Sequence, residues 1–347
     1  MIREAMLYER QEGGRVRCHL CSHRCRISDS RFGFCGVRQN RGGTLYTHVY
    51  GEVIAADVDP VEKKPLYHFL PGTTTYSIAT VGCNFRCGFC QNWTISQAPQ
   101  EKEETIGGTP ISPGEIVDNA LDRGCRSISF TYTEPTIFFE YAHDTARLAH
   151  EHGLPTIFVS NGYMTEEALA AIHPWLDACN IDLKSFRDRF YRTTCKARLK
   201  PVLDTIERIG KSDIWMELTT LVVPGLNDSP EELRDIARFI AAINPGIPWH
   251  IIRFFPAYHT DQTEATPVEK LREAYRIGVS EGLYHVYLGN VPGESADVVC
   301  PRCSRIVVER RRGGTAPEIH VDRGRCAFCG RHIGGVFSPG ARPAADP

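Results

Sequence analysis

The chain has 347 residues, of which 42% are hydrophobic and 24% are charged, and its formal net charge at pH 7 is −2. These values are typical of a soluble globular protein with one large domain and small appendages, or with two ordinary domains. The near-zero net charge gives no overall electrostatic reason to bind nucleic acid, although a local basic patch is compatible with it. The amino terminus is charged where a signal peptide needs an apolar core, and no later run is long enough to span a membrane. We therefore expect a cytoplasmic protein.

The chain contains fourteen cysteines. A small secreted protein would use them for disulfides, but in a large chain without a signal peptide metal ligation explains them better. Eleven of the cysteines fall into three groups, which predicts three metal centres. The groups are Cys18, Cys21, Cys25 and Cys35; Cys83, Cys87 and Cys90; and Cys300, Cys303, Cys326 and Cys329.

The first group places four thiolates within eighteen residues, close enough to surround one tetrahedral metal ion. Zinc is the first interpretation and an auxiliary iron–sulfur cluster the alternative, since thiolates suit both. His19 and His23 lie among these cysteines and are not assigned as ligands. Residues 45–58 alternate apolar and polar side chains, which predicts one or two strands. We expect residues 1–72 to form an N-terminal metal module with a small sheet.

From residue 75 onward, predicted strands alternate with predicted helices, and Ser112, Pro113 and Glu115 mark the start of one helix. Such alternation implies right-handed crossovers and a parallel sheet with buried strands. Six or seven units fall short of the eight of a closed barrel, so the α/β fold expected for residues 73–293 is a partial (β/α)6 barrel of TIM type. The predicted strands are 75–81, 127–132, 155–160, 178–183, 215–222, 249–254 and 285–288, and the predicted helices are 116–123, 136–152, 165–171, 201–209, 229–243 and 267–281.

Polar residues follow several of these strands. Thr133 and Glu134 follow the second strand, Asn161 follows the third, and Asp182 and Lys184 follow the fourth. In parallel α/β sheets the ligand lies at the carboxyl ends of the strands, so these side chains are candidate ligand contacts. The alternative is that Asn161 belongs to an ordinary turn and that Asp182 and Lys184 form an ordinary ion pair.

The segment Gly82–Trp93 carries the second cysteine group in the order C-x3-C-x2-C, with no further cysteine until Cys125. Three thiolates can hold three irons of a [4Fe–4S] cluster and leave the fourth iron open for chemistry. The alternative, a zinc ion with a borrowed fourth ligand, is less favoured because no fourth ligand is local. The spacing, with Phe89 before the last cysteine, resembles the signature of radical S-adenosylmethionine (SAM) enzymes. In that family SAM binds the open iron, and an electron cleaves it to a 5′-deoxyadenosyl radical.

The resemblance covers residues 15–335 approximately and is carried by several further motifs. The motifs include Asp59-Pro-x-x-Lys-Lys-Pro-Leu-x-His-Phe, Tyr132-Thr-Glu-Pro, Ser160-Asn-Gly, Asp182-Leu-Lys, Val223-Pro-Gly-Leu-Asn-Asp and Tyr287-Leu-Gly-Asn-Val-Pro. With these motifs the chain looks like the pyruvate formate-lyase activating enzyme branch and, more closely, resembles the radical SAM enzyme of the AmmeMemoRadiSam system.

The resemblance implies roles for individual residues. It assigns Cys83, Cys87 and Cys90 to the cluster and places Phe89 near adenine. Thr133 and Glu134 lie in the turn that receives the SAM amine, and Asn161, Asp182 and Lys184 match positions that reach the SAM carboxylate and ribose. Tyr132-Thr133 stands where the family usually has Gly-Gly, which leaves open whether the backbone or the Glu134 carboxylate contacts the amine.

The activity implied by the resemblance is hydrogen abstraction from a protein or a small molecule. The implied partners are an electron donor such as flavodoxin or ferredoxin and the other proteins of the AmmeMemoRadiSam system. Because the extra cysteines lie at the two termini rather than after the signature, a glycyl-radical activase is not the expected role. The alternatives are a non-catalytic zinc-binding adaptor for a protein or RNA, and an RNA-modifying radical SAM enzyme.

The third cysteine group consists of two CxxC pairs at the ends of a predicted hairpin, which is typical of a zinc ribbon over residues 294–337. A rubredoxin-like iron centre is the alternative. Residues 310–312 are three arginines that either contact RNA phosphates or are merely solvated. Residues 338–347 are rich in proline and alanine, and we expect them to be disordered.

Three cysteines lie outside these groups. Cys179 falls within an apolar predicted strand and Cys125 just before another, so core positions are expected. Cys195 is flanked by cations that could lower the pKa of its thiol, which makes a covalent or radical-quenching role the less favoured alternative to a structural one.

Overall fold

The computed structural model describes residues 1–101, 107–310 and 316–338. The strands are β1 Arg3–Glu4, β2 Tyr8–Gln11, β3 Arg15–Cys18, β4 Arg26–Ile27, β5 Arg38–Arg41, β6 Thr44–Thr47, β7 Glu52–Val53, β8 Ala55–Pro60, β9 Thr74–Ala79, β10 Thr109–Pro110, β11 Ser127–Phe130, β12 Thr156–Ser160, β13 Ala178–Asp182, β14 Trp215–Val222, β15 Trp249–Arg253, β16 Val286–Gly289, β17 Val298–Val299, β18 Ile306–Glu309, β19 Glu318–Ile319, β20 Val321–Asp322 and β21 Arg325–Cys326. The α-helices are α1 Trp93–Ser96, α2 Ala98–Glu101, α3 Pro113–Asp122, α4 Phe139–Glu151, α5 Glu166–Ile172, α6 Asp188–Phe190, α7 Leu199–Ile209, α8 Pro230–Ile243 and α9 Val268–Ser280.

The chain divides into two compact units, each built from several separate segments. The first unit comprises Met1–Asp59, Thr74–Asp177 and Tyr191–Thr205, and the second comprises Pro60–Thr73, Ala178–Phe190 and Ile206–Pro347. This division differs from the boundaries predicted from sequence after residues 72, 293 and 337, which remain predictions.

In the first unit, β9 pairs in parallel with β11, and β11 pairs in parallel with β12. All four residues of β11 are buried, as expected for a strand of a parallel sheet covered on both faces. Helix α3 begins at a capping box in which the Ser112 hydroxyl accepts from the Glu115 backbone N–H and the Glu115 carboxylate accepts from the Ser112 backbone N–H. The predicted start of this helix is therefore confirmed.

The amino-terminal part of the first unit consists of two small antiparallel sheets, in the orders β2-β3-β4 and β1-β6-β5. A buried amide links the two sheets, because Asn40 Nδ2 on β5 donates to Ile27 O on β4 at 2.9 Å and to Gly14 O at 2.8 Å. The sequence predicted strands only from residue 45, so β1 to β5 were missed. These strands have two to four residues each and lack the alternation over longer runs that identifies a strand.

In the second unit, β13, β14, β15 and β16 pair in parallel in that order. The Ser229 hydroxyl caps α8, and Trp249 is fully buried with its indole N–H 3.0 Å from Thr220 Oγ1. The carboxyl-terminal part adds the sheets β17-β18-β19 and β20-β21 around a small core. Its buried members are Val298, Cys300, Val307, Val308, Cys326 and Ile333.

The fold class is α/β with mostly parallel central strands, as predicted. Strand β14 has the predicted bounds, and the other central strands agree within two residues at each end. The helix predicted over 136–152 is instead a 3₁₀ turn, Pro135–Phe138, followed by α4, because Glu134 caps the turn through its carboxylate. In the described part of the chain, no helix has both the length and the apolar character required to cross a membrane. Residues 339–347 of the predicted tail and residues 311–312 of the arginine run lie outside the described residues.

Candidate functional site

The loop that follows β9, which we call the cysteine loop, runs from Gly82 to Trp93 and carries Cys83, Cys87 and Cys90. It begins at Gly82, whose φ of +103° suits glycine, and a Cβ there would lie 2.8 Å from Val37 Cγ1. This close approach requires glycine and seats the start of the loop on the amino-terminal sheets.

Hydrogen-bond donors of the loop region point at its sulfur atoms. The Phe85 N–H donates to Cys83 Sγ at 3.3 Å, and the Ser96 hydroxyl on α1 lies 3.2 Å from Cys90 Sγ. Donors of this kind stabilise thiolates and tune iron–sulfur clusters. The loop therefore suits a [4Fe–4S] cluster held by three thiolates. Burial, together with the nearby Glu134 charge, raises the pKa of the Cys83 thiol, so metal binding there must displace a proton.

The carboxylate of Glu134 is surrounded by donors of its own chain. Its oxygens accept from the Thr136 backbone N–H at 3.0 Å, from the Ser160 hydroxyl at 2.8 Å and from the Asn161 N–H at 2.8 Å. The Thr136 hydroxyl donates to the same carboxylate at 2.5 Å. Glu134 thus joins the turn after β11 to the end of β12, and burial raises the pKa of this carboxyl group.

The turn before Glu134 is held against the cysteine loop. Tyr132 has a φ of +60°, the backbone region that glycine adopts most readily, although this chain has tyrosine there. Its carbonyl accepts from Asn92 Nδ2 at 2.7 Å, and its hydroxyl donates to Asp59. The Thr133 hydroxyl donates to Thr80 O at 2.8 Å. The family's Gly-Gly is therefore replaced by side chains that anchor the same turn.

Asn161 also contacts the cysteine loop. Its Nδ2 donates to Asn84 Oδ1 at 2.7 Å and lies 3.9 Å from Cys83 Sγ, and its Oδ1 accepts from the Tyr163 N–H at 3.0 Å. The first unit therefore brings together Cys83, Glu134 and Asn161, three residues that the sequence placed in one site. Phe89 of the same loop is buried.

Asp182 and Lys184 lie in the second unit, at the end of β13. Lys184 Nζ is 2.7 Å from Asp182 Oδ2, and the Lys184 carbonyl accepts from Asn227 Nδ2 at 2.6 Å. The ion pair predicted as the alternative reading is present, and Asn227 of the Val-Pro-Gly-Leu-Asn motif is the partner that sequence reasoning missed.

The third cysteine group, which we call the C-terminal quartet, converges on one point. Cys300 Sγ is 3.6 Å from Cys329 Sγ, Cys303 Sγ is 3.8 Å from Cys326 Sγ, and all four sulfurs lie within 4.8 Å of one another. Four thiolates at Zn–S distances of about 2.3 Å around a tetrahedral ion are separated by about 3.8 Å. The quartet therefore has the geometry of a single tetrahedral metal ion.

The first cysteine group, which we call the N-terminal quartet, lies in the first unit. The buried Arg38 guanidinium donates to Cys18 Sγ at 3.2 Å and pairs with Glu140, which is also buried. The Phe34 N–H donates to Cys25 Sγ at 3.5 Å. Burial raises the pKa of Cys35 to about 11. Arg38 was missed from sequence, where the only signal is Glu140 on the apolar face of α4.

The three cysteines outside the groups are buried, and Arg310 is hydrogen-bonded within the protein. Cys125, Cys179 and Cys195 are buried, which confirms the core assignment of the first two and leaves the Cys195 thiol without the exposure of a reactive cysteine. The Cys195 carbonyl accepts from the Arg86 N–H at 2.9 Å. Arg310 donates to Glu62 and to Tyr67 O rather than pointing into solvent.

The family model described as Radical SAM superfamily matches residues 77–240, which include the cysteine loop, Glu134, Asn161, Asp182 and Lys184. The chain belongs to the radical SAM superfamily. It is therefore an enzyme of the radical SAM type, and the family implies a [4Fe–4S] cluster and SAM.

Relatives of this radical SAM chain carry different names. It is 42% identical over 335 residues to "Uncharacterized protein MJ0808" of Methanocaldococcus jannaschii, covering 96% of this chain and 99% of the relative. It is 27% identical over 177 residues to the pyruvate formate-lyase-activating enzyme of Clostridium pasteurianum, covering 47% of this chain and 67% of that enzyme. It is 24% identical over 245 residues to the GTP 3′,8-cyclase of Helicobacter pylori J99, covering 65% of this chain and 74% of that enzyme.

Proposed function

We propose that the chain binds a [4Fe–4S] cluster through Cys83, Cys87 and Cys90, reductively cleaves SAM and abstracts hydrogen from a protein or small-molecule substrate. The observation that carries the proposal is the cysteine loop, which has three thiols of radical SAM spacing. The Phe85 N–H contacts Cys83 Sγ and the Ser96 hydroxyl contacts Cys90 Sγ. The cluster, when bound, supplies the electron that breaks the sulfonium bond and yields the 5′-deoxyadenosyl radical. The chain's own residues hold SAM and exclude water.

For SAM binding we propose roles for Phe89, Thr133, Glu134, Asn161, Asp182 and Lys184. Because four donors already surround the Glu134 carboxylate, its role is to hold the turn. The Tyr132 carbonyl already accepts from Asn92 Nδ2, so we assign the SAM amine to the backbone carbonyl of Thr133. Phe89 packs near adenine. Asn161 reaches the SAM carboxylate, and the Asp182–Lys184 pair binds the ribose hydroxyls and the carboxylate.

The remaining features of the proposal concern architecture and partners. Residues 73–293 form a partial (β/α)6 barrel, between a metal module over 1–72 and a zinc-ribbon-like module over 294–337 whose C-terminal quartet binds zinc. The convergence of the four sulfurs supports zinc there. The enzyme works in the cytoplasm as the radical SAM member of the AmmeMemoRadiSam system, with the other proteins of that system as partners. A flavodoxin or ferredoxin supplies its electrons.

The deciding experiment is anaerobic reconstitution of the full chain with iron and sulfide, followed by SAM and dithionite. We expect 5′-deoxyadenosine, measured by liquid chromatography and mass spectrometry. Cys87→Ala should reduce its formation to background, because one cluster ligand is lost. Cys303→Ala, which removes a thiol of the C-terminal quartet, should retain cleavage. A wild-type protein with full cluster content that forms no 5′-deoxyadenosine would contradict the proposal.

A further inference from the structure

The N-terminal quartet differs in spacing from the C-terminal quartet. Among the described residues, the C-terminal quartet is the set whose sulfurs all lie within 4.8 Å; neither three sulfurs of the N-terminal quartet nor the three of the cysteine loop meet that limit. Sulfurs around one tetrahedral ion are separated by about 3.8 Å, whereas thiolates bound to different irons of a cluster stand further apart. The N-terminal quartet therefore resembles the cysteine loop, the cluster site of the family, more than a single-ion site.

The surroundings of the N-terminal quartet also suit a cluster. The Arg38 guanidinium donates to Cys18 Sγ at 3.2 Å, and the Phe34 N–H points at Cys25 Sγ at 3.5 Å. Arg38 is itself 2% exposed and is held by Glu140 and by Met6 O at 2.9 Å. Hydrogen bonds to the sulfurs and a buried positive charge are among the features that stabilise and tune an iron–sulfur cluster.

The N-terminal quartet and the cysteine loop are in direct contact within the first unit. A His23 ring nitrogen, Nε2, lies 2.7 Å from the carbonyl of Asn84, the residue after Cys83, and Arg86 Nη2 donates to Phe34 O at 2.7 Å. A Cβ on Gly82 would lie 3.4 Å from Cys35 O. The backbone of one quartet cysteine thus packs against the residue that precedes Cys83, so the two cysteine-bearing segments are adjacent within the first unit.

The segment between Cys25 and Cys35 exposes two arginines, although the whole chain has a net charge of −2. Residues 1–50 contain nine arginines and no lysine against four acidic residues, and three of the arginines pair with acidic residues elsewhere in the chain. Cys25 is partly exposed, and in the same segment Arg26, Arg31 and Phe32 are exposed, the Phe32 ring with an exposed fraction of 43%. Exposed cations around an exposed aromatic ring favour docking of an acidic protein.

We propose that the N-terminal quartet holds a second [4Fe–4S] cluster, through which an acidic one-electron donor protein, docked at Arg26, Arg31 and Phe32, reduces the cluster of the cysteine loop. The proposal rests on the radical SAM function proposed above. One electron leaves the donor, which is oxidised, and reduces the second cluster. The same electron then passes to the loop cluster, and the second cluster returns to its oxidised state without gain or loss of a proton.

The metal content of a loop variant tests the second cluster by itself. The full chain with Cys83→Ala, Cys87→Ala and Cys90→Ala is reconstituted anaerobically and analysed for iron, sulfide and zinc, with electron paramagnetic resonance after reduction. We expect about four irons and four sulfides per chain, against about eight for the wild type, and a reduced-cluster signal. Adding Cys25→Ser to this variant should remove the remaining irons and sulfides and the reduced-cluster signal. A loop variant that holds zinc without sulfide would overturn the proposal.

The docking surface is tested with a reduced flavodoxin as donor. Arg26→Glu with Arg31→Glu should lower the rate of 5′-deoxyadenosine formation about tenfold with flavodoxin at low salt, and should leave the rate with dithionite unchanged. Arg272→Glu with Arg276→Glu on α9 makes the same change in net charge and should leave both rates unchanged. If both double variants lose the same fraction of the rate with flavodoxin, the proposed docking site is wrong. A wild type inactive even with dithionite would instead refute the radical SAM function, while the iron count still decides the second cluster.

Discussion

At the scale of single residues, the carboxylate of Glu134 is used by the fold itself. One of its oxygens, Oε1, accepts three hydrogen bonds, from the N–H and hydroxyl of Thr136 and from the hydroxyl of Ser160. The other oxygen, Oε2, accepts from the Asn161 N–H. A carboxylate can satisfy four donors because it has no proton of its own to place.

Glu134→Gln should therefore destabilise the protein despite its small change in shape. The amide nitrogen would face either the Asn161 N–H or the three donors at Oε1, so a donor would meet a donor. Leaving buried donors unpaired costs about 1–3 kcal/mol, which we expect as the loss in the free energy of unfolding measured with urea. Glu151→Gln, at an exposed ion pair of α4, is the control and should change stability by less than about 0.5 kcal/mol. Equal losses for the two variants would contradict this role of Glu134.

At the scale of helices and strands, the sequence predicted those features that depend on residues close together in the chain. The capping box of α3 is visible because Ser112 and Glu115 are three residues apart, and β14 has a strong apolar pattern. The contacts of the N-terminal quartet were invisible: His23 and Asn84 are 61 residues apart, and nothing in the pattern around His23 indicates its partner. The same holds for Arg38 and Glu140, which are 102 residues apart.

The connector between β8 and β9, residues 61–73, also makes contacts with residues distant in the chain that its sequence did not indicate. Its prolines exclude a regular helix or central strand, and its His68 is fully buried within the second unit. Glu217 at the amino end of β14 accepts from the N–H groups of Tyr67 and His68, at 3.0 and 2.7 Å. The His68 ring bonds Gly334 O at 2.8 Å and the Tyr287 hydroxyl at 2.7 Å, so its Nδ1 carries the proton and its Nε2 accepts.

His68 should make the stability of the protein depend on pH. Burial lowers the pKa of His68 to about 3, whereas an unfolded histidine has a pKa of about 6.5. Between these two pH values the unfolded chain binds one more proton than the folded chain, so the free energy of unfolding rises with pH. The contribution of His68 to stability is therefore lost as the pH falls below about 6.5. From pH 7 to pH 5 this one residue should remove about 2 kcal/mol.

The measurement compares urea unfolding of wild type and His68→Gln at pH 7 and pH 5, followed by tryptophan fluorescence. The variant should be less stable at pH 7 but should lose about 2 kcal/mol less than wild type on acidification. His152→Gln, at the exposed end of α4, is the matched control and should keep the wild-type dependence. The same loss in wild type and His68→Gln would show that His68 is not the group responsible.

At the scale of the whole molecule, the two terminal quartets differ in what surrounds them. The N-terminal quartet contacts the cysteine loop within the first unit, whereas the C-terminal quartet closes a small core in the second unit. Sequence predicted both as metal modules, because spacing in the chain shows which cysteines can share a metal. It could not indicate that the N-terminal module contacts the cysteine loop, since that depends on long-range packing.

Loss of the metal at the C-terminal quartet should loosen the carboxyl-terminal part of the second unit and leave the first unit intact. A structural zinc ion contributes directly to folding, and this quartet supplies two of the six buried residues of its core. The Val336 N–H donates to His68 O at 2.7 Å and the Leu70 N–H to Val336 O at 2.7 Å, so the connector should loosen as well. Cys303→Ser should therefore lose about one zinc per chain and gain hydrogen exchange over residues 298–310, 316–336 and 66–72. Cys125→Ser, at a buried cysteine outside the three groups, should keep both zinc and protection. Zinc loss from Cys303→Ser without faster exchange in these segments would show that the core holds together without its metal.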